Sequence, residues 1–347
     1  MLIINVLQHY GGYKCDVFFR RTFTTTSVQS KNNYEDLDIL PLRGSSRDIP
    51  LNAKWSQTGV TVAGGNGLGD GTNQLNSPNG LFVDNEQNIY IADSSNHRIV
   101  EWKSDATNGT VVVGGYGRGT GDYLLDSPQD IIVDKETDSI IIADYGNQRV
   151  VRWSRRDGKR EETLISDFYS YGLTMGEQGS LYVVDSRKHE VRRYEKGGTQ
   201  GKVVAGGNGQ GNSLNQLNNP FFVFVDRERS VYVSDYGNYR VIKWKEGATQ
   251  GTVVAGGQGR GNSITQLTVP RGVLVDQLET VYVADQQNHR VMRWLSGAKQ
   301  GSVIIGGNGE GDKPNQLNSP ICLSFDRHGN LYVVDRDNHR VQRFDLQ

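Results

Sequence analysis

The sequence predicts an all-β chain, a six-bladed β-propeller of four-stranded antiparallel blades whose ring is closed by an N-terminal strand completing the C-terminal blade. A long-period repeat, a strand-forming composition within each repeat and a pair of complementary chain ends carry that expectation. The repeat is "IYIADSSNHRIVEW" from 89, "IIIADYGNQRVVRW" from 140, "LYVVDSRKHEVRRY" from 181, "VYVSDYGNYRVIKW" from 231, "VYVADQQNHRVMRW" from 281 and "LYVVDRDNHRVQRF" from 331. Its aspartate falls at 93, 144, 185, 235, 285 and 335, spacings of 51, 41, 50, 50 and 50. A fixed period of this size marks a repeat architecture and outranks any local interpretation.

Each unit contains four strand signals. The first is "GLFVD" (80–84) or its equivalents "DIIVD", "FVFVD", "GVLVD" and "LSFD". The second runs into the repeat aspartate, the third ends in Trp or another aromatic, and the fourth is of the "GTVVVGG" (109–115) kind. Val, Ile, Tyr and Trp suit a pleated, half-buried surface, and no helical period competes with them. Short turns such as "GATQG" (247–251) join third to fourth strands, and long glycine-rich loops such as "GGNGQGNSLNQLNNP" (206–220) lead to the next unit. Four-stranded units repeated radially make a propeller. The last unit stops after its third strand, while "KWSQTGVTVAGGNG" (54–67) supplies an unclaimed fourth. Residues 58–64 are therefore expected to complete the blade of 321–345, which removes an open sheet edge. The propeller is assigned to 54–347, and 1–53, without repeats, to an N-terminal extension expected to be poorly ordered.

Composition narrows the function classes. With 38 basic and 39 acidic residues the net charge is −1, so no global field draws the chain toward nucleic acid or an anionic membrane. No apolar run approaches the roughly 20 residues of a membrane-spanning helix. The opening "MLIINVL" is too short and has no cleavage site after it to read as a secretory signal. Two cysteines, Cys15 and Cys322, make no disulfide framework. Nucleophile-elbow and Cys-x-x-Cys patterns are absent from the sequence.

The "NHR(V/I)" turns, with "PxG…VD" before them and "YVAD" between, resemble NHL repeats, and the resemblance spans about 54–347 in six copies. It implies a six-bladed NHL propeller. The family includes substrate- or RNA-binding ends of ubiquitin ligases, receptor or sensor modules and the lyase that finishes peptide amidation; residues 1–53 carry no RING or B-box pattern.

A catalytic residue is needed once, so a residue found in every blade more often holds the blade together. On that ground Asp93, Asp144, Asp185, Asp235, Asp285 and Asp335 are expected to accept hydrogen bonds from the turn that follows each of them. Asn96, Asn288 and Asn338 are expected to take the left-handed conformation of that turn, and Arg98, Arg290 and Arg340 to bridge carboxylate and carbonyl groups. Lys188 and Glu190 break the pattern in the third unit. Histidine is less regular, at 97, 189, 289 and 339. The resemblance to the lyase branch, which holds zinc with loop histidines, makes His97, His189, His289 and His339 the alternative metal set. Equivalent positions around a ring converge poorly on one ion, so no metal and no cofactor are expected. The "GGNGLGDG" loop (64–71) has phosphate-loop-like spacing, but it opens a further loop and not a helix.

Function in a repeat protein tends to appear where the repeat departs from itself or on its shared loop face. The third unit is shortened, with Gly176 in place of the first-strand aspartate. "RWSRRDGKREE" (152–162) precedes it, and "FFVFV" (221–225) reads as a fully buried inner strand. The long loops and the "NHR" turns are expected on one face, the "GATQG"-type turns on the other. Tyr116, Arg118, Arg155, Arg156, Arg260 and Glu310 are the candidate binding residues of the loop face. The function expected is non-enzymatic: a monomeric scaffold binding a protein or peptide, with neither membrane nor nucleic acid as partner. The alternatives are a zinc-dependent peptidyl-α-hydroxyglycine α-amidating lyase and a ubiquitin-ligase-type substrate- or RNA-binding propeller.

Overall fold

The computed structural model describes residues 49–155 and 159–347. The expectations placed on 1–48, Cys15 among them, and on Arg156 lie outside the described residues. The described residues form six four-stranded antiparallel sheets. No helix among them is long and apolar enough to cross a membrane. Blade four is typical, with strands Pro220–Val225, Val231–Asp235, Arg240–Trp244 and Thr252–Gly256. The first strands of successive blades pack on one another, and that of blade six meets that of blade one.

The ring closes as the chain ends require. Val60–Gly64 pairs antiparallel with Arg340–Phe344, Val60 opposite Arg343 and Gly64 opposite Arg340. Trp55 continues the closure by bridging to Leu346. Its indole Nε1 donates to the Gly329 carbonyl at 2.9 Å, and its ring lies on Phe325 and edge-on to Tyr282 at 6.0 and 5.7 Å. Ile49 and Ala53 are buried as well, so the packed part of the chain begins before residue 54.

Alternation explains the interior. The third strands bury Trp102, Trp153, Tyr194, Trp244, Trp294 and Phe344 at equivalent positions, and the second strands bury Tyr90, Tyr182, Tyr232, Tyr282 and Tyr332. Each such ring removes roughly 150–250 Å² from water. Around the axis the third residue of each first strand, or in blade three the residue just before it, alternates small and large: Gly80, Asp130, Gly172, Phe222, Gly272, Cys322. A Cβ at Gly80 would collide with Asp130, one at Gly172 with Phe222, and one at Gly272 with Cys322. The strands can approach there only because every second residue lacks a side chain.

The long loops are ordered, a departure from the flexible connection that their composition suggests. Each buries one leucine completely, Leu75, Leu125, Leu217, Leu267 or Leu317. Asn and Gln side chains satisfy the backbone inside them, as Asn208 does to Asn215 O and Gln216 to Asn208 O at 2.9 and 3.0 Å. Gly256 starts one such loop at φ +66, where a Cβ would strike the Tyr239 carbonyl. The loops also do not stay on one face. Their tips descend the flank of their own blade, where the carbonyls of Thr72, Leu214, Ile264 and Pro314 accept from Gly109, Gly251, Gly301 and Gly59 near the opposite turns. Only the first and last few residues of each loop remain on the turn face.

Candidate functional site

The signature residues build a clamp. In blade five, Asp285 Oδ1 accepts from the Thr268 backbone at 2.8 Å and Oδ2 from Asn288 Nδ2 and Arg290 Nε at 2.7 and 2.9 Å. Asn288 also donates to Gly261 O, and Arg290 to Asn262, Ser263 and Gln266 carbonyls. The clamp recurs at Asp93, Asp144, Asp235 and Asp335 with Arg98, Arg149, Arg240 and Arg340. Two expectations need correction here. The aspartate's backbone donors come from the loop before it and not from the turn after it, because that loop returns to the face beside the carboxylate. The left-handed residue is the one after the asparagine, His289 at φ 50, since the asparagine sits inside a short 3-10 turn and spends its amide on the clamp. Burial raises the carboxyls of Asp93, Asp144, Asp235 and Asp335 against the opposing hydrogen bonds from the loop backbone, asparagine and arginine.

Blade three lacks Asn and Arg, and there Asp185 does accept from the following turn, from Arg187 N and Lys188 N at 3.1 and 2.9 Å. Glu190, in the arginine's place, pairs with Arg192 at 2.6 Å.

The histidines are inter-blade links. Nδ1 of His97, His189, His289 and His339 accepts from the backbone of Ser127, Asn219, Ser319 and Ser77, each in the loop entering the next blade, at 3.0 to 3.4 Å. Among the described residues no three His, Cys, Asp or Glu side chains gather as a metal-ligand set. One imidazole nitrogen of each histidine is already engaged and the four stand in separate blades, so they do not fit the zinc of the lyase branch.

The candidate binding residues divide between faces. Arg118, Arg260 and Glu310 occupy the same loop position, as do Leu68 and Gln210. They stay on the turn face: Arg118 donates to Asp126 at 2.8 Å, Arg260 to Gln287 at 2.8 Å, and Glu310 lies 3.9 Å from His289. Tyr116, two residues before Arg118, is 81 % exposed. Arg155 is on the other face, a correction of its placement. It follows the third strand of blade two, its backbone donates to Asp138 O, and its guanidinium reaches the Tyr90 hydroxyl. The chain has passed through an odd number of strands at that point, which puts it at the opposite end of the blade.

The entry to blade three, between Ser166 and Leu173, is shortened, and Tyr169 and Tyr171 in it pack on Tyr145. Two inner rings meet there. One is the residue after the first-strand proline and its equivalents: Asn79, Gln129, Tyr171, Phe221, Arg271, Ile321. The other follows the second-strand aspartate: Ser94, Tyr145, Ser186, Tyr236, Gln286, Arg336. Aromatic rings form a chain along one side, with centroids 4.4 Å apart for Tyr145–Tyr171, 4.2 Å for Tyr171–Phe221 and 5.1 Å for Phe221–Tyr236. Arg271 lies over Phe221 at 3.6 Å and donates Nε to Gln286 at 2.7 Å. Burial and the nearby Arg336 charge push its guanidinium down to about 10. Burial, then the Tyr145 hydroxyl, raises the Tyr171 phenol. Phe221 is buried with the rest of its strand, as expected, and its ring lies between Tyr171, Tyr236 and Arg271 at an axial mouth. Sequence reasoning missed this mouth. Its signal was two positions that vary freely inside an otherwise fixed frame.

Comparison with known proteins agrees with the fold. A model of the NHL repeat matches residues 75–102 and 317–344. This chain is a six-bladed β-propeller that carries NHL repeats. No curated protein matches it in sequence. Among solved structures, the NHL propeller is similar to an auxiliary nutrient binding protein from Bacteroides thetaiotaomicron VPI-5482, with TM-score 0.64, 16 % identity, and 85 % of this chain and 77 % of that one covered. It is also similar to a gluconolactonase from Xanthomonas campestris, with TM-score 0.60, 13 % identity and coverage of 87 % and 99 %. A streptogramin B lyase gives TM-score 0.54, 10 % identity and coverage of 79 % and 95 %. At such identities these likenesses speak for the fold, which serves binding proteins and enzymes alike.

Proposed function

We propose that this NHL propeller is a binding module without catalytic activity, which takes a peptide or protein segment across the face that carries the "NHR" turns. The observation that supports this most is where the signature side chains spend their hydrogen bonds. Asp, Asn and Arg are consumed in clamping each loop to its turn in five blades, and histidine in linking blades. What faces solvent is the variable set, Leu68, Tyr116, Arg118, Arg260 and Glu310, around a mouth of aromatic and polar groups. Varied side chains on a rigid ring are how a repeat scaffold recognises one partner among many. Mixed polar and aromatic groups around a shallow mouth suit an extended segment better than a small metabolite in an enclosed pocket.

The test is selection of a random peptide library on the immobilised propeller, followed by titration of an enriched peptide. Reversing Arg118 and Arg260 to Glu should weaken binding by about tenfold or more. Reversing Lys245, Lys299 or Arg155, all at the opposite turns, should leave it unchanged. Loss of binding through the second group and not the first would mean that the other face is the docking face.

A further inference from the structure

We propose that the axial mouth is a carboxylate-binding site, in which Arg271 and Arg336 take the anion and Tyr171, Phe221 and Tyr236 receive the apolar or aromatic group that bears it. The two guanidiniums stand at inner positions of adjacent blades, Arg271 in blade five and Arg336 in blade six, and neither forms an ion pair with a carboxylate among the described residues. Each is compensated only in part. Arg271 has an aromatic face on one side and the Gln286 amide oxygen at Nε. Arg336 Nε is shielded from solvent with no hydrogen-bond partner. The ring places a carboxylate at Asp130, in blade two, where it accepts from Leu173 N and Ile131 N; those bonds hold it to the strands of blades two and three.

Elsewhere in this molecule the design is the reverse. Arg98, Arg149, Arg240, Arg290 and Arg340, all buried, each have an aspartate within 2.9 Å. A half-buried guanidinium lacking a counter-charge is costly, so an anion that reaches either of them gains more than it would at the surface. A planar carboxylate matches the forked donors of arginine. Arg271 lies over Phe221, the middle of the row from Tyr171 to Tyr236, and 5.6 Å from the Tyr236 ring, so the group attached to the anion would lie against the row. A peptide's C-terminal or side-chain carboxylate next to an aromatic residue has this shape. That source rests on the function proposed above; the site itself does not.

The probe is benzoate, with benzamide as the uncharged isostere and inorganic phosphate as the competing oxyanion, followed by tyrosine fluorescence and by ligand-observed NMR. Benzoate should bind at least about tenfold more tightly than benzamide, and the advantage should vanish in Arg271→Gln and Arg336→Gln. Both substitutions lie outside the clamps, and an unchanged melting temperature verifies that each variant is folded. Phe221→Leu should weaken benzoate and not phosphate. Equal binding of benzoate and benzamide, or retention of benzoate by both arginine variants, overturns the site. Phosphate binding in place of benzoate, lost in the same variants, overturns the carboxylate assignment. Benzoate bound at the mouth by a propeller that enriches no peptide would sink the docking function and leave the anion site standing.

Discussion

At the residue scale, the same aspartate has two different surroundings within one chain. Asp285 is fully buried against Arg290, with Asn288 and the Thr268 backbone completing its shell. Removing it strands a buried guanidinium, a change that typically costs about 3–5 kcal/mol. Asp185 faces two turn amides and, at 3.8 Å, a Lys188 amine whose side chain is 58 % exposed. Its loss costs about 1–3 kcal/mol, the ordinary amount for unsatisfied donors. Urea denaturation of Asp285→Ala and Asp185→Ala should therefore show the first as the more destabilised of the two. Equal losses would mean that the arginine contributes nothing beyond its carbonyl bonds.

That aspartate, asparagine and arginine are structural was legible from their repetition alone. Which backbone they hold was not. A long loop that folds back to its own starting face brings Thr268 beside Asp285 across 17 residues, a separation at which no local rule of turn chemistry operates.

At the scale of elements, closure was the most readable feature because the two ends are complementary fragments of one unit. The energetic weight of closure falls on Trp55, buried to 1 % among Phe325, Tyr282 and the Gly329 carbonyl. Trp55→Ala should lower stability by about 3–5 kcal/mol, the usual loss for a large buried aromatic. Deletion of 1–65 removes the tryptophan and its strand together, and should abolish cooperative unfolding, whereas deletion of 1–48 should preserve it. Identical melting of the two truncations, read by circular dichroism, would contradict the closure. The descent of the long loops along the blade flanks was not legible in the same way. Glycine, asparagine and glutamine read as flexible in sequence, and only the register of a fully buried leucine in each loop, such as Leu217, locks the path.

At the scale of the whole molecule, the departures from symmetry assemble the candidate site. Blade three gives up its entry loop, and Tyr169 and Tyr171 take that space beside Tyr145. Blades four to six contribute Phe221, Tyr236, Arg271 and Arg336 from positions that the repeat leaves free. The shortening was visible as a spacing of 41 in place of 50. Its consequence needed the ring, because the six inner residues are about fifty positions apart in sequence and adjacent only around the axis.

The central claim, that the partner docks on the face of the "NHR" turns, is tested most directly by amide hydrogen exchange with and without a library-selected peptide. Protection should rise at 258–260, at 286–290 and around Tyr171 and Tyr236, while the opposite turns at 245–251 and 295–301 and the loop tip at Ile264 exchange as before. Protection confined to 245–251 and 295–301, with the turn face unchanged, would contradict the account.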